Sequence, residues 1–370
     1  MPTNKPKKIL IAPLDWGLGH TARCIPIIGH ILRLGHVPVV ACNQWQRSFI
    51  EATFSDIEYI HLDGYNITYS KWNRIAQSGL LSQLPLITNT IKKEQLWLRQ
   101  HAMKTQIDGI ISDNRYGLYL HGTPSVILTH QLQVQTGMGL LPDRLVQKLH
   151  YNYLNHFSET WIPDMSGANN MGGILSQPSQ LPGHYRYIGL LSRFEEEAPL
   201  AGTEESDFSA QPLLILISGP EPQRGQLSHI LWQQALAHAG AVVFVDGSAS
   251  AIVPGDVPPH ITYHKLLTGD DLKNLLAAAS MVICRSGYSS LMDLVALGKR
   301  AILIPTPGQT EQEYLAKHLT ERGIFYSVPQ NKFDLQRHLD EAITFPFHPL
   351  PRVGPFGMYK AVLEDWISSL

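Results

Sequence analysis

The fold is decided by a strand, a turn and a helix that follow one another in the stretch MVICRSGYSSLMDLVALG, residues 281–298. Residues 281–284 are apolar and predict a buried strand, and the small and hydroxyl residues after them predict a turn. A helix is predicted over residues 291–297, where Gly298 ends it. A strand that turns directly into a helix is the repeating unit of a doubly wound α/β domain.

The same alternation continues on both sides of this stretch in the second half of the chain. Apolar runs at residues 213–217, 241–245 and 301–304 predict strands, and residues 226–239 have the apolar spacing of a helix. Strands that alternate with helices form parallel sheets. We therefore predict a doubly wound domain in the second half.

A matching pattern occupies the first half. Residues 9–14 and 37–42 predict buried strands on either side of a helix at 21–34, and residues 108–113 and 125–129 predict two more strands. The first half is therefore predicted to be a second parallel α/β domain. Two Rossmann-like domains of this kind are expected to face each other across a cleft.

The domain boundaries follow from changes in composition. The segment 192–212 is rich in Glu, Ser and Pro and has few residues that could build a core, so it is interpreted as a linker. This gives a first domain over residues 1–191 and a second over 213–354. Residues 355–370 resemble an amphipathic helix whose packing the sequence leaves open.

Composition excludes several classes of protein. The chain has 370 residues, is 44% hydrophobic and carries 29 basic against 31 acidic residues, so no nucleic-acid partner is expected. The apolar run at residues 9–12 is too short for a signal peptide or a membrane span, which favours a cytoplasmic protein. Cys24, Cys42 and Cys284 form neither a disulfide framework nor a metal-site pattern.

A glycine turn follows the first strand, at Gly17, Gly19 and His20. It fits the dinucleotide fingerprint, but the acidic residue expected about twenty positions later is absent, since residues 41–44 read Ala-Cys-Asn-Gln. An NAD-dependent oxidoreductase is therefore disfavoured. The turn still allows a ligand to approach a helix N-terminus with His20 at its mouth.

His20 is the candidate general base, and Asp113, which ends another strand, is the candidate partner that orients it. The alternatives are that His20 only bonds the first helical turn and that Asp113 caps a turn or helix. Arg23 is a candidate contact for an acidic group on the acceptor side, with a solvated arginine as its alternative.

The turn after residue 284 is a candidate anion site. Unpaired helix-start amides and the hydroxyls of Ser286, Ser289 and Ser290 suit a diphosphate, although a serine-capped helix explains them equally well. Asp293 on the same helix could accept bonds from a ribose diol. In the loop after the next strand, Gln312 and Glu313 could grip sugar hydroxyls, while Thr310 and Glu313 also fit a capping box.

Taken together, the ordered series Arg285-Ser286-Gly287, Asp293, Gly298, Pro305 and Gln312 resembles the C-terminal domain of family 28 glycosyltransferases, which have the GT-B fold and include enzymes of peptidoglycan synthesis that use UDP-GlcNAc. The resemblance implies that Ser286 and Gly287 hold the UDP phosphates, Asp293 the ribose and Gln312 the donor sugar. It places Leu266 near the uracil. The donor-binding residues expected on this basis are Arg285, Ser286, Gly287, Tyr288, Ser289, Asp293, Gln312, Glu313, Leu266, Ser218 and Gly219.

The sequence also departs from the family pattern. Glu313 and Ala316 replace a glutamine and an asparagine, Asp293 replaces a glutamate, and Ser218-Gly219-Pro220-Glu221-Pro222-Gln223-Arg224 replaces a glycine-rich turn. The sugar and the acceptor are therefore left open.

The resulting hypothesis is an inverting, metal-independent glycosyltransferase that moves GlcNAc or a related hexose from a UDP-sugar to an unknown hydroxyl acceptor, which could be lipid-linked or a glycan. No cofactor or metal is expected, because no Asp-x-Asp motif occurs. The alternatives are a UDP-sugar epimerase or hydrolase of the same fold and a non-catalytic nucleotide-sugar-binding protein. Apolar stretches at residues 80–87 and 137–142 could contact the inner face of a membrane, although buried helix faces explain them more simply.

Overall fold

The computed structural model describes residues 5–65, 79–134, 139–195, 211–248, 250–253, 255–348 and 355–370. The chain divides into two compact units, Met1–Arg193 with Val353–Leu370, and Phe194–Arg352. Most of the segment interpreted as a linker lies outside the described residues, as do residues 137–138 of the apolar stretch 137–142.

The first unit is built on a seven-stranded sheet in which every pair of neighbouring strands is parallel. Its elements are β1 (Lys8–Pro13), α1 (Leu18–Arg33), β2 (Val37–Cys42), α2 (Gln44–Glu51), β3 (Glu58–His61), α3 (Gly79–Thr105), β4 (Gly109–Asp113), β5 (Ser125–Leu128), α4 (Leu140–Leu154), β6 (Glu159–Ile162) and β7 (Tyr185–Tyr187). The strand order is β3-β2-β1-β4-β5-β6-β7, which is the doubly wound order with its reversal between β1 and β4.

Helices cover both faces of this sheet, as the strand sequences require. Within β1, Ile9 and Ile11 belong to one apolar cluster and Leu10 and Ala12 to another, because successive side chains of a strand point to opposite faces. All four are at most 1% exposed. A strand buried on both faces has to be a continuous apolar run, which is why the sequence alone identified it.

The second unit is built on a six-stranded parallel sheet. Its elements are β8 (Leu213–Leu216), α5 (Gln223–Leu236), β9 (Val242–Val245), β10 (Ile261–His264), α6 (Gly269–Ala278), β11 (Met281–Cys284), α7 (Tyr288–Leu297), β12 (Ala301–Leu303), α8 (Thr310–Glu321), β13 (Tyr326–Ser327) and α9 (Leu335–Thr344). The order β10-β9-β8-β11-β12-β13 reverses between β8 and β11. Both sheets thus share one plan.

The last helix, α10 (Met358–Ser368), packs on the first unit. Trp366 makes an edge-on contact with Trp161, at 5.6 Å between ring centroids, and Tyr359 donates a hydrogen bond to the carbonyl of Pro26 at 3.2 Å. Leu363 is fully buried in the same cluster. The end of the chain therefore completes the core of the unit that contains its beginning.

The prediction of two doubly wound α/β domains is confirmed. Two helix starts differ from the prediction: α1 begins at Leu18 and α7 at Tyr288, each three residues early. His20 consequently lies inside the first turn of α1 and not in the loop before it. Within the described residues, no helix is long and apolar enough to cross a membrane.

Candidate functional site

His20 and Asp113 meet where the first sheet reverses its strand order. Pro13, the last residue of β1, is the register partner of Asp113, the last residue of β4. The chain leaves β1 through a short turn into α1, whose first turn carries His20. Side chains from neighbouring strand ends converge at such a point, which is where open α/β sheets bind ligands.

The imidazole of His20 faces the carboxylate of Asp113 through one ring nitrogen. Its Nδ1 lies 3.3 Å from Oδ1 and 3.2 Å from Oδ2 of Asp113. Asp113 is completely buried, whereas 16% of the His20 side chain is exposed. A histidine that faces a carboxylate through one ring nitrogen and keeps part of its side chain exposed has the arrangement of a general-base pair.

The sequence predicted a contact between Arg23 and an acidic ligand group. In the structure the Arg23 side chain turns inward onto the same carboxylate. It is only 3% exposed, and its Nε donates to Asp113 Oδ2 at 2.9 Å while Nη2 makes a short bond to Oδ1. Neither a contact with an acidic ligand nor a solvated arginine fits this burial. A two-pronged contact with a carboxylate is the strongest geometry that a guanidinium offers.

The pKa values of Asp113 and His20 are both lowered within this cluster. Burial acts to raise the pKa of Asp113, but Arg23 and His20 overcome it and lower that pKa to about 2. Burial lowers the pKa of His20, and the charge of Arg23 adds to this effect, while Asp113 opposes it. At neutral pH the carboxylate is therefore ionised and the imidazole neutral, which is the state that a general base needs.

His130 and Cys24 also belong to this cluster, which their sequence positions did not predict. His130 follows β5, is 4% exposed, and its Nδ1 lies 3.0 Å from Nη1 of Arg23. The Cys24 thiol lies 3.8 Å from Asp113 Oδ2, and burial raises its pKa well above the usual range. A polar residue directly after a predicted strand was the available signal for His130.

The glycines before His20 play separate parts. Gly17 is the N-cap of α1 and has φ of +94°, which a residue with a side chain rarely adopts. A Cβ at Gly17 would meet no atom within 4 Å, so the space above it is open. Gly19 belongs to the helix itself. Of the two glycines, only Gly17 therefore lies in the turn before α1.

A second group of predicted residues gathers where the second sheet reverses its order. Leu216 of β8 is the register partner of Cys284 of β11, so the loops after these strands are adjacent. One loop carries Ser218, which is half-buried, and Gly219, which is exposed and has φ of +112°. The other carries Arg285, Ser286 and Gly287.

Arg285 and Ser286 are turned inward, so their side chains hold loops together. Arg285 is 1% exposed and donates to the carbonyls of Ile304 and Pro305 at 3.1 Å and of Gln223 at 3.0 Å. The Ser286 hydroxyl donates to the carbonyl of Gln312 at 2.8 Å. The predicted donor contact of the Arg285 side chain is therefore corrected to a bracing role.

The start of α7 is open. Gly287 is its N-cap, no side chain caps it, and the interpretation as a serine-capped helix does not hold. Gly287 has φ of −75°, and a Cβ there would meet nothing within 4 Å, so neither the backbone nor packing requires glycine. What glycine provides here is room for an atom to approach the helix-start amides.

Other predicted residues on α7 differ in exposure. The Tyr288 side chain is 4% exposed and lies in the core, which leaves only its backbone for a ligand. Ser289 is half-buried. Asp293 is 6% exposed and lies beyond the first helical turn. Only a small part of Asp293 is therefore accessible to a ligand.

The loop before α8 is held by the two residues predicted to bind sugar. Gln312 Oε1 accepts a bond from the amide of Thr306 at 2.9 Å, and Glu313 Oε1 accepts from the amide of Gly308 at 2.8 Å. The capping box of Thr310 and Glu313 does not form, because the N-cap is Gln309 and Thr310 is already helical. Gln312 uses its oxygen in this way, and its amide group is a separate donor.

Leu266, which was predicted to lie near the uracil, follows β10 and is half-buried. Among the residues that the structure describes, no three His, Cys, Asp or Glu side chains are grouped so that they could hold a metal ion.

Part of the second unit is similar to a known protein domain. Residues 260–352 match the model of the glycosyltransferase family 28 C-terminal domain. Among curated relatives is a UDP-N-acetylglucosamine--N-acetylmuramyl-(pentapeptide) pyrophosphoryl-undecaprenol N-acetylglucosamine transferase of Desulforudis audaxviator, 42% identical over 77 residues, which are 20% of this chain and 19% of that protein. The same-named protein of Methylorubrum populi is 39% identical over 75 residues, 20% of each chain. The alignments thus span about a fifth of these relatives.

Solved structures match the whole chain in fold. SnogD, a glycosyltransferase from Streptomyces nogalater, aligns with a TM-score of 0.62 at 14% identity over 99% of this chain and 100% of that one. MurG of Acinetobacter baumannii aligns with a TM-score of 0.56 at 13% identity, over 99% and 100% of the two chains. The chain therefore has the GT-B fold, and its second unit resembles family 28 glycosyltransferases.

Proposed function

We propose that this protein is a glycosyltransferase that moves a hexose from a UDP-sugar to a hydroxyl acceptor, with inversion and without a metal. The observation that carries the proposal is the open start of α7, where a glycine required neither by φ nor by packing clears the approach to helix-start amides. It lies within the segment that matches the family 28 C-terminal domain.

The donor half of the proposal assigns one ligand group to each feature of the second unit. The amides after Gly287 hold the diphosphate, because a helix N-terminus carries partial positive charge. Asp293 bonds the ribose, the amide of Gln312 bonds the sugar, and the backbone near Leu266 meets the base. Ser218 and Gly219, in the adjacent loop, are the remaining candidates for phosphate contact.

On the acceptor side, His20 is the proposed general base. Nε2 removes the proton of the acceptor hydroxyl, the oxygen forms a bond to the anomeric carbon, and the bond from that carbon to the diphosphate oxygen breaks. The electron pair leaves with UDP, and attack from the face opposite the leaving group inverts the anomeric centre. Asp113 stabilises the imidazolium that forms at His20.

In this proposal the departing diphosphate is stabilised by backbone amides and the helix dipole. One well-aimed donor of this type contributes roughly 3 kcal/mol to the transition state. The curated relatives, by their names, act on an undecaprenol-linked acceptor, and a lipid-linked or glycan acceptor at a membrane surface is proposed here on that ground.

A ligand panel followed by a turnover assay tests the proposal. UDP and UDP-sugars are expected to raise the melting temperature more than ADP, GDP or dTDP, because a ligand of the folded state stabilises it by mass action. Sugar transfer is then assayed with UDP-GlcNAc, UDP-glucose and UDP-galactose against hydroxyl acceptors.

Different outcomes separate the alternatives. Consumption of a UDP-sugar without any acceptor indicates an epimerase or hydrolase. Binding of UDP-sugars without turnover under any acceptor indicates a binding protein. Stabilisation by another nucleotide but not by UDP overturns the donor assignment.

A further inference from the structure

The guanidinium of Arg23 is the hub of the buried cluster around His20. Its Nε and Nη2 contact the two oxygens of Asp113, Nη2 lies 3.0 Å from Nδ1 of His20, and Nη1 lies 3.0 Å from Nδ1 of His130. These groups come from three neighbouring parts of the sheet: α1 after β1, the end of β4, and the residue beyond β5. Arg23 thus contacts both Asp113 and His130, the two other groups in the described part of the chain whose charges act on His20.

Two partners compete for the same nitrogen of His20. An arginine only donates hydrogen bonds, and an ionised carboxylate only accepts them. If Nδ1 accepts from Arg23, the imidazole proton sits on Nε2, which then cannot take a proton. If Nδ1 carries the proton and donates it to Asp113, Nε2 has the free electron pair of a base.

The charges of Arg23 and Asp113 also determine whether His20 is protonated. A buried carboxylate alone next to His20 favours the imidazolium at neutral pH. The imidazolium has no free electron pair on nitrogen and cannot act as a base. The Arg23 charge, paired with both oxygens of Asp113, offsets this preference. His130 contacts the same guanidinium through Nη1 and reaches the cluster from the loop after β5.

We propose that Arg23 is a positioning residue for His20: by pairing with Asp113 it limits how strongly that carboxylate holds a proton on His20, and so sets the pH above which His20 acts as the base. The inference rests on the proposed function only in calling His20 the base. The balance of charges belongs to the folded protein whether or not it turns over.

The experiment is a double-mutant cycle read by NMR titration of the His20 imidazole and by the pH profile of kcat/KM. Arg23→Met is expected to raise the pKa of His20, and with it the acidic limb of the profile, by about 1 to 3 units, the usual effect of one adjacent charge. Asp113→Asn is expected to move both downward. Arg23→Met with Asp113→Asn removes both charges and is expected to bring them back towards the wild-type values.

Further variants keep the test decisive. Because Arg23→Met strands a buried carboxylate, which strongly destabilises a fold, the double variant and Arg23→Lys carry the test if it does not fold. Arg23→Lys retains the positive charge but not the two-pronged contact with Asp113. It is expected to keep the acidic limb of the pH profile near its wild-type position while lowering kcat. Arg115→Met is the matched control, since Arg115 is fully buried in the same unit but pairs with Glu94, at 3.0 Å.

The outcomes are distinguishable. If Arg23→Met or the cycle leaves the His20 pKa unchanged while kcat falls, or if Arg115→Met moves the pKa equally, Arg23 has only a structural role and the inference is overturned. If the NMR cycle behaves as expected but no sugar is transferred, the inference stands and the proposed function fails.

Discussion

At the scale of single residues, Gln312 separates a structural use of a side chain from a binding use. Its Oε1 holds the amide of Thr306 at 2.9 Å, and its carbonyl holds the hydroxyl of Ser286 at 2.8 Å. The proposed sugar contact needs the other end of the same amide group. A replacement that keeps the oxygen and removes the nitrogen therefore tests binding without removing the loop's support.

We predict that Gln312→Glu keeps the stability of the wild type within about 1 kcal/mol, because the carboxylate still accepts from Thr306 and lies in the first turn of α8, where negative charge is favourable. Affinity for UDP-sugars should fall, while affinity for UDP should not. Calorimetric titration with UDP and UDP-GlcNAc measures both. Gln312→Ala is the control that loses stability as well. Equal loss of UDP and UDP-sugar binding in Gln312→Glu contradicts a sugar contact.

At the scale of an element, the start of α7 was predicted from the sequence, and the structure shows that no side chain caps it. The sequence predicted the strand, the turn and the helix, because a buried apolar run and a closing glycine are local signals. It could not decide between a serine cap and an anion site. Whether a serine caps the helix depends on where Ser286 points, and Ser286 bonds α8, 26 positions along the chain.

We predict that Gly287→Ala leaves the fold intact and weakens UDP binding at least about tenfold. Its φ of −75° suits alanine, a Cβ meets no atom, and a less flexible unfolded chain raises stability by about 0.4–1 kcal/mol. The methyl group would occupy the space through which a phosphate approaches. Thermal denaturation and UDP titration measure the two effects.

The control for this variant is Gly298→Ala, at the other end of α7. Gly298 has φ of +62°, so alanine there strains the backbone and should lower stability without touching the proposed phosphate site. If Gly287→Ala binds UDP as tightly as the wild type, the open helix start is not the phosphate site.

Helix α4 supplies a pH-dependent contribution to the first unit. His150 is 6% exposed, and burial lowers its pKa to about 4. Because the folded state resists protonation while the unfolded chain takes up a proton below about pH 6.5, stability is full above that pH and is lost as the pH falls towards 4. We expect this loss to be about 3 kcal/mol, since each pH unit between the folded and unfolded pKa values corresponds to about 1.4 kcal/mol.

We predict that His150→Gln reduces this acid sensitivity, since glutamine does not titrate and can still bond the Tyr116 hydroxyl, which lies 3.1 Å from the imidazole. Urea denaturation at pH 7, 6, 5 and 4 gives the slope for each protein. His184→Gln, at an exposed histidine, is expected to retain the wild-type slope. An unchanged slope in His150→Gln would place the acid sensitivity elsewhere.

At the scale of the whole molecule, the sequence predicted the plan of each sheet better than its edges or its side-chain contacts. Central strands such as β1 and β4 are buried on both faces and read as apolar runs, whereas β3 is partly exposed and has no such run. His20 and Asp113 could be paired because His20 follows one predicted strand and Asp113 ends another. The inward turn of Arg23 and the packing of α10 depend on partners far along the chain and left no local signal.

The packing of α10 leads to a prediction about the stability of one unit. Trp366 is 4% exposed, contacts Trp161, and lies so close to Gly109 that a Cβ at Gly109 would be 2.6 Å from its ring. The indole thus fills the space that glycine leaves at the start of β4. Trp366→Ala removes this large contact and should cost about 3–5 kcal/mol.

Because α10 belongs to the core of the first unit, the loss should be confined to that unit. Hydrogen exchange followed by mass spectrometry is expected to show lost protection in β1, β4 and α1, with β8 and β11 unchanged, since exchange reports the stability of each cooperative region. Asp365→Ala is the matched control: its exposed ion pair with Arg186, at 2.6 Å, should contribute at most about 1 kcal/mol. Protection lost equally in both sheets would mean that the two units unfold as one, and protection kept in both would mean that α10 is not part of the core.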